Sequence, residues 1–220
     1  MDIKLSLENL ADNIRAVVTT PSRNPWIYEE GEVRKPGSIH IAIFALLIGI
    51  GAVTGSFGSI AFPLGYGVSG FWPGVAVQAV GSIWFGLWGA LAGGLFPFIS
   101  NSLSGAPLYV SLAYFPSNFI QGLLPFLVFK YLKVDPRLNN WVGYAAYVLF
   151  AVIINNALGA TWAVTALTSF HLITVTSTPL FFSGWLIGNG LPSLIFGIIV
   201  LKILSKTVVR SRAFCKGWLA

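Results

Sequence analysis

The chain has 220 residues, 55% of them hydrophobic and only 9% charged, with 13 Lys+Arg against 7 Asp+Glu. Soluble domains carry about 25% charged residues, yet here no Asp, Glu, Lys or Arg occurs from Pro36 to Phe129 or from Leu138 to Leu201. Either run far exceeds the roughly 20 residues that one membrane-spanning helix needs, which excludes a soluble globular domain and predicts an all-α polytopic membrane protein.

Residues 1–37 read as a polar leader that holds every acidic residue except Asp135. Leu5, Leu7, Leu10, Ile14 and Val17, with Glu8, Asp12 and Arg15 between them, have a roughly helical apolar period. They predict either an amphipathic helix on a membrane or partner surface or a solvated, frayed one. The acids and the lack of a continuous apolar stretch argue against a cleavable signal peptide. Arg34-Lys35-Pro36-Gly37 marks the point where the chain turns into the bilayer.

Six spans follow over 38–205, at about Ile39–Phe57, Pro73–Phe85, Leu87–Leu103, Leu108–Tyr131, Trp141–Leu167 and Leu180–Leu204. Residues 206–220 form a basic tail. Lys and Arg cluster in the leader, in the loop with Lys130, Lys133 and Arg137, and in the tail. Six crossings put all three clusters and both termini on the cytoplasmic side, whereas merging the second and third spans would put one or more outside. The expected location is a cell membrane, in a prokaryote. The basic balance belongs to membrane flanks, so no nucleic acid partner is expected.

Chemistry is constrained by what the spans lack. There is no G-x-x-x-x-G-K-[ST] loop, and a single cysteine, Cys215, can supply neither an internal disulfide nor a thiolate metal site. No Ser/His/Asp or paired-carboxylate set can be assembled inside the bilayer, so neither an enzyme nor a metal or other cofactor is expected. The spans do carry neutral amides: Gln78, Asn101, Asn118, Gln121, Asn155, Asn156 and Asn189. In hydrocarbon these must find partners, either across helices or around a cavity for a hydrogen-bonding solute. Aromatics including Trp72, Tyr109, Tyr114, Trp162, Phe170 and Trp185 gather toward the outer span ends, as an interfacial belt or as pocket walls. Trp162 and Trp185, a turn or two inward, are the expected walls. Ala45-x-x-x-Gly49 and Gly51-x-x-x-Gly55 allow close helix approach, within the bundle or against a second subunit.

Ala45 and Gly49 on the first span, the 58–72 loop, and Phe85-Gly-Leu-Trp-Gly-Ala-Leu-Ala-Gly93 at the short second/third junction together resemble the substrate-binding (S) components of energy-coupling factor vitamin transporters. That family often shows a Gly-Pro-x-x-Gly turn at the junction; here it reads Gly86-Leu-Trp-Gly89. The resemblance implies a membrane-embedded binding subunit for a small neutral organic solute, handed to a transmembrane coupling subunit and ATPase subunits. It implies contacts from Trp72, Asn101, Tyr109, Asn118, Gln121, Asn155, Trp162, His171, Trp185 and Asn189, with the 58–72 loop as a lid. Ala45, Gly49, Gly51 and Gly55 would be the docking face, with membrane lipid around the rest. Gly70-Phe-Trp-Pro-Gly74 and Gly184-Trp-Leu-Ile-Gly-Asn189 are also similar to membrane-embedded sensor domains of bacterial signalling proteins. A structural or anchoring subunit of a larger membrane complex is the third possibility.

Overall fold

The computed structural model describes residues 24–220; the amphipathic segment expected over Leu5–Val17 lies outside them. Six helical rods form a bundle: α1 (Ser38–Ala61), α2 (Gly74–Phe85), α3 (Leu87–Leu103), α4 (Leu108–Tyr131), α5 (Trp141–Ser169) and α6 (Val175–Val208). A short antiparallel hairpin, β1 (Pro63–Gly65) and β2 (Val68–Ser69), joins α1 to α2. Four rods, α1, α4, α5 and α6, are long and apolar enough to cross a membrane.

Local chemistry sets the helix ends. Pro36-Gly37 precedes α1, where the Gly37 N–H donates to Nδ1 of His40 at 3.1 Å. The Asn140 side chain caps α5 by accepting the Gly143 N–H at 2.9 Å, as a side-chain oxygen at this position does for the free amides of a first turn. α2 and α3 turn sharply at Gly86, whose φ of 58° is left-handed. The turn lies against the C-terminal tail, where Leu87 N–H donates to the Trp218 carbonyl at 2.9 Å.

The 12-residue α2 is the centre of the bundle, with every residue except Val77 buried. At 1.5 Å per residue it is only about 18 Å long. α1, α3, α4 and α6 all pack on it. Where α2 and α3 cross, Gly89 is so close to Gly81 that a Cβ would overlap the Gly81 carbonyl carbon. Gly51 lies on the Phe96 ring and Gly55 on Ser100. The small residues Gly51 and Gly55 are therefore used inside the bundle, while Ala45 and Gly49 face outward on α1. The remaining outer surface is studded with exposed apolar side chains such as Ile41, Val53, Leu112, Ile153 and Ile187.

Among the described residues, beyond Pro179 near the start of α6, four prolines lie inside helices: Pro97, Pro116, Pro125 and Pro192. A proline has no N–H, so the carbonyl four residues earlier loses its helical donor. In two cases an amide from a neighbouring helix supplies the bond. Gln78 Nε2 donates to the Gly93 carbonyl opposite Pro97 at 2.8 Å, and Asn155 Nδ2 donates to the Gln121 carbonyl opposite Pro125 at 2.9 Å. Helices α5 and α6 also contain π-helical stretches, Tyr147–Ile154 and Ser193–Gly197. These meet where the Tyr147 hydroxyl donates to the Ser193 carbonyl at 3.1 Å.

The end of the bundle opposite the hairpin is closed by the segments flanking the rods. Residues 24–37 and 209–220 fold under it, so the basic tail is a packed plug. Trp26 is buried, donating to the Val134 carbonyl at 2.6 Å, and Phe214 and Cys215 are fully buried. Burial pushes the Cys215 thiol up to about 12. Glu32 accepts from Lys216 at 2.6 Å and from Arg34 at 2.6 Å, and Arg34 also donates to the Phe214 carbonyl at 2.6 Å. Lys130, Lys216 and Arg34 thus lie at one end of the bundle. Lys202 joins them, donating to the Leu138 carbonyl at 3.1 Å.

Burial raises the Glu32 pKa, but the bonds from Lys216, the Glu29 backbone and Arg34 outweigh it and hold the carboxyl at about 2. A depressed folded-state pKa stabilises the fold above the ordinary value of 4.5, and the contribution is lost as pH falls toward 2. Glu32→Gln should therefore lower the unfolding temperature in detergent at pH 7 by about 2–4 °C. The gap between variant and wild type should close as the pH is lowered through that window; a constant gap would remove the linkage. The proline pairing gives a second expectation. Gln78→Leu should cost about 1–3 kcal/mol by orphaning the Gly93 carbonyl. In a Pro97→Ala background, where the helix regains its own N–H, the same change should cost less than half as much by denaturant titration.

Candidate functional site: a buried hydrogen-bonding cavity under the hairpin

The hairpin turns at Tyr66-Gly67, whose φ values of 52° and 79° are both positive, as a two-residue type I′ loop requires. Gly67 also has no room for a side chain, because Asn101 Oδ1 lies 2.6 Å from where its Cβ would be. The returning strand is wedged between α1 and α6. On the α1 side, Ser69 Oγ donates to the Gly58 carbonyl at 2.8 Å. On the α6 side, Gly184 and Gly188 lie flush against Leu64 and the Ser69 carbonyl, so that a Cβ on either would overlap them.

Pro192 completes this seal. It removes the helical donor from the Gly188 carbonyl, which instead accepts the Trp72 N–H at 2.7 Å. The hairpin is latched to α6 by a backbone bond that an uninterrupted helix would not offer.

Beneath the latch is a cavity lined by Gly67, Val68, Ser69 and Trp72 of the hairpin segment, Pro97 and Asn101 of α3, Tyr114 and Asn118 of α4, and Trp185 and Asn189 of α6. Its volume is about 10 Å³, room for a single water. Trp72 stacks on Phe96 with centroids 5.7 Å apart, and Tyr114 meets Trp185 edge to face at 5.2 Å and 84°. Asn101 Nδ2 donates to Ser111 Oγ at 3.2 Å, and Asn118 Oδ1 accepts from Gln78 at 3.3 Å. Trp72 Nε1, Tyr114 Oη and Trp185 Nε1 are buried without a protein partner. No lining residue carries a formal charge.

Of the ten residues expected as solute contacts, Trp72, Asn101, Asn118, Trp185 and Asn189 line this cavity. Gln121 and Asn155 lie a layer deeper: Gln121 Nε2 donates to Asn156 Oδ1 at 2.9 Å, and Asn155 serves the carbonyl opposite Pro125. Trp162 stands outside. It is 47% exposed, and its Nε1 donates to the Ala113 carbonyl of α4 at 2.7 Å. The π-helical stretch earlier in α5 shifts the facing register of all that follows, leaving Gly159, Ala160 and Ala163 to face inward. Tyr109 lies edge-on to Phe170 at 5.3 Å with nearly half its surface exposed. His171 is an exposed loop residue with a φ of 55°. Tyr114, one of the outer-end aromatics and not among those ten, lines the cavity; Tyr114, Asn118 and Gln121 share one face of α4 at the i, i+4, i+7 spacing that marks an inward stripe.

A larger furrow of about 690 Å³ runs between α1, α2 and α6 past Ile50, Val77 and Val200. It is apolar almost throughout: Thr54 Oγ1 is tied to the Ile50 carbonyl and Trp84 Nε1 to Ser205. It gives a polar solute nothing to bind. No protein-family model, curated protein or solved structure matches the chain.

The latch makes a direct expectation. Gly188→Val should lift the hairpin off α6 with a penalty above about 1.4 kcal/mol, tenfold in an opening equilibrium. In a Cys215→Ala background, a Ser69→Cys thiol should react with a polar maleimide about tenfold faster in the Gly188→Val protein. Equal rates would mean the hairpin does not seal there.

Proposed function

We propose that the chain is a membrane-embedded binding component for a small neutral organic solute, of the kind that serves an energy-coupling factor transporter. In this reading α2 and α3 cross the bilayer as a short pair, giving six spans, and both termini are cytoplasmic. The cationic clusters at the end away from the hairpin support that orientation by the positive-inside rule. The hairpin and its cavity then face outward.

The observation that carries the reading is the cavity: ten residues from four parts of the chain, with indole, phenol and amide groups converging on one space. An aromatic wall with a few placed polar groups is how proteins hold small organic molecules. Three of the lining residues, Trp72, Tyr114 and Trp185, carry a buried polar atom with no protein partner. With the Trp72–Gly188 bond formed the cavity holds about one water, so a solute binds there only with the hairpin displaced. The chain binds and releases without chemistry of its own. Energy for transport comes from a coupling subunit and its ATPases, docking through the outward Ala45 and Gly49 face of α1.

Purification in mild detergent without added solute, followed by denaturing mass spectrometry, tests this. A stoichiometric small molecule should accompany the wild-type protein, and Trp72→Ala or Asn118→Leu should reduce it at least about tenfold. A chain that comes clean, with a membrane protein at fixed stoichiometry, would instead make it a structural subunit.

A further inference from the structure

The apolar furrow between α1, α2 and α6 is as deep as one leaflet of a bilayer. Its floor is α2, which is buried everywhere except at Val77, and its lining reaches from Pro73 to Trp84 along that helix. At 1.5 Å per residue this is about 17 Å, close to half of the roughly 30 Å hydrocarbon core. The volume of about 690 Å³ lies within the range of sites that hold one organic molecule, roughly 300–1,000 Å³.

One end of the furrow rests on the plug. There the Trp84 carbonyl accepts the Cys215 N–H at 2.9 Å. Arg34 donates to the carbonyl of the adjacent Phe214 at 2.6 Å and to that of Ser211 at 3.3 Å. Lys35, Arg210 and Arg212 are the chain neighbours of Arg34 and Ser211, and all three are exposed. Among the described residues the acids Glu32 and Asp135 are paired elsewhere, with Arg34, Lys216 and Arg137. Three cations without an acidic partner therefore stand where the furrow meets the head-group layer. The rest of the furrow is hydrocarbon. Membrane helices associate through small residues and interhelical hydrogen bonds, and the two ridges offer neither. Ile50, Val53, Phe57, Phe196, Val200 and Leu204 are bulky, and Thr54 Oγ1 and Trp84 Nε1 are already bonded. A flexible acyl chain needs no such partner, and Lys and Arg near the membrane surface attract anionic head groups.

We propose that the furrow holds one acyl chain of an anionic phospholipid from the leaflet at the plug end, with its phosphate received by Lys35, Arg210 and Arg212. Charge at the mouth selects the head group, and the apolar ridges hold the chain. The site is separate from the cavity under the hairpin, and it stands whether or not a solute binds there.

The experiment places the full chain in nanodiscs of phosphatidylcholine with phosphatidylglycerol as the minor component, and native mass spectrometry counts the lipids it retains. Phosphatidylglycerol should be retained at least about tenfold above its share of the supplied lipid. The triple variant Lys35→Gln, Arg210→Gln, Arg212→Gln should retain the two lipids in proportion to supply. Val77→Trp fills the furrow from its floor and leaves the cations in place, and it should lose the retained phosphatidylglycerol. Val200→Phe fills it from the α6 ridge as a second variant, and melting within a few degrees of wild type shows that each one folds. Wild-type protein that retains both lipids in proportion to supply overturns the proposal. Undiminished enrichment in the triple variant or in the filled variants overturns it as well. So does a lipid-free chain whose Val53→Cys thiols, in a Cys215→Ala background, cross-link two copies, a result that assigns the furrow to a second copy of the chain.

Discussion

The fold is organised around backbone carbonyls that its own prolines deprive of a helical partner. In hydrocarbon no water is present to take up an unpaired carbonyl. For three of the four interior prolines another group donates in its place. Pro97 is answered by Gln78, Pro125 by Asn155, and Pro192 by the Trp72 backbone. Each answer ties a different pair of elements: α2 to α3, α5 to α4, and the hairpin to α6. Three of the least replaceable contacts in the bundle thus follow from three missing N–H groups. The same rule explains why Gln78 and Asn155 are buried at the bundle centre, where each serves a backbone and neither lines the cavity.

Close packing does the rest. The short α2 can lie at the centre because its neighbours approach nearly backbone to backbone, at Gly89 on Gly81 and at Gly122 near the Gln78 carbonyl. In a membrane, where water does not drive apolar side chains together, such approaches and interhelical bonds supply the attraction. The hairpin is held by the same device. It buries Val68 with Leu64 and Tyr66 against α6, and Gly58, Gly184 and Gly188 let it lie close against the helices. Small residues therefore serve two ends here, rigid packing at the core and a separable seal at the mouth.

Much of this was legible in the sequence. Charge placement and hydropathy gave the rods: the residues assigned to α3 and α4 match, Leu87–Leu103 and Leu108–Tyr131, and α1 and α6 run longer than expected. Amide content and the placement of aromatics pointed at Asn101, Asn118, Trp185 and Asn189, which come together. What could not be read was phase. Trp162 was expected inside, and a single change of helical pitch over Tyr147–Ile154 turns it out; hydropathy cannot see such a stretch, because every residue in it is apolar. The packed plug formed by 24–37 and 209–220 was equally hidden. It depends on Trp26, Glu32 and Lys216 meeting across nearly the whole chain length, and no local pattern encodes that. Splitting Gly51 and Gly55 from Ala45 and Gly49 likewise needed the neighbours, since both pairs share one spacing.

The closed cavity sets a balance between stability and recognition. Each buried donor without a partner costs of order 1–3 kcal/mol, and Trp72, Tyr114 and Trp185 each carry one. With the hairpin shut, through the Trp72 to Gly188 bond that the proline at 192 makes available, the cavity has room for about one water. On the proposed reading, the residue that lowers the intrinsic order of α6 is the one that lets occupancy of the cavity be reported at the surface, as a sealed or unsealed hairpin.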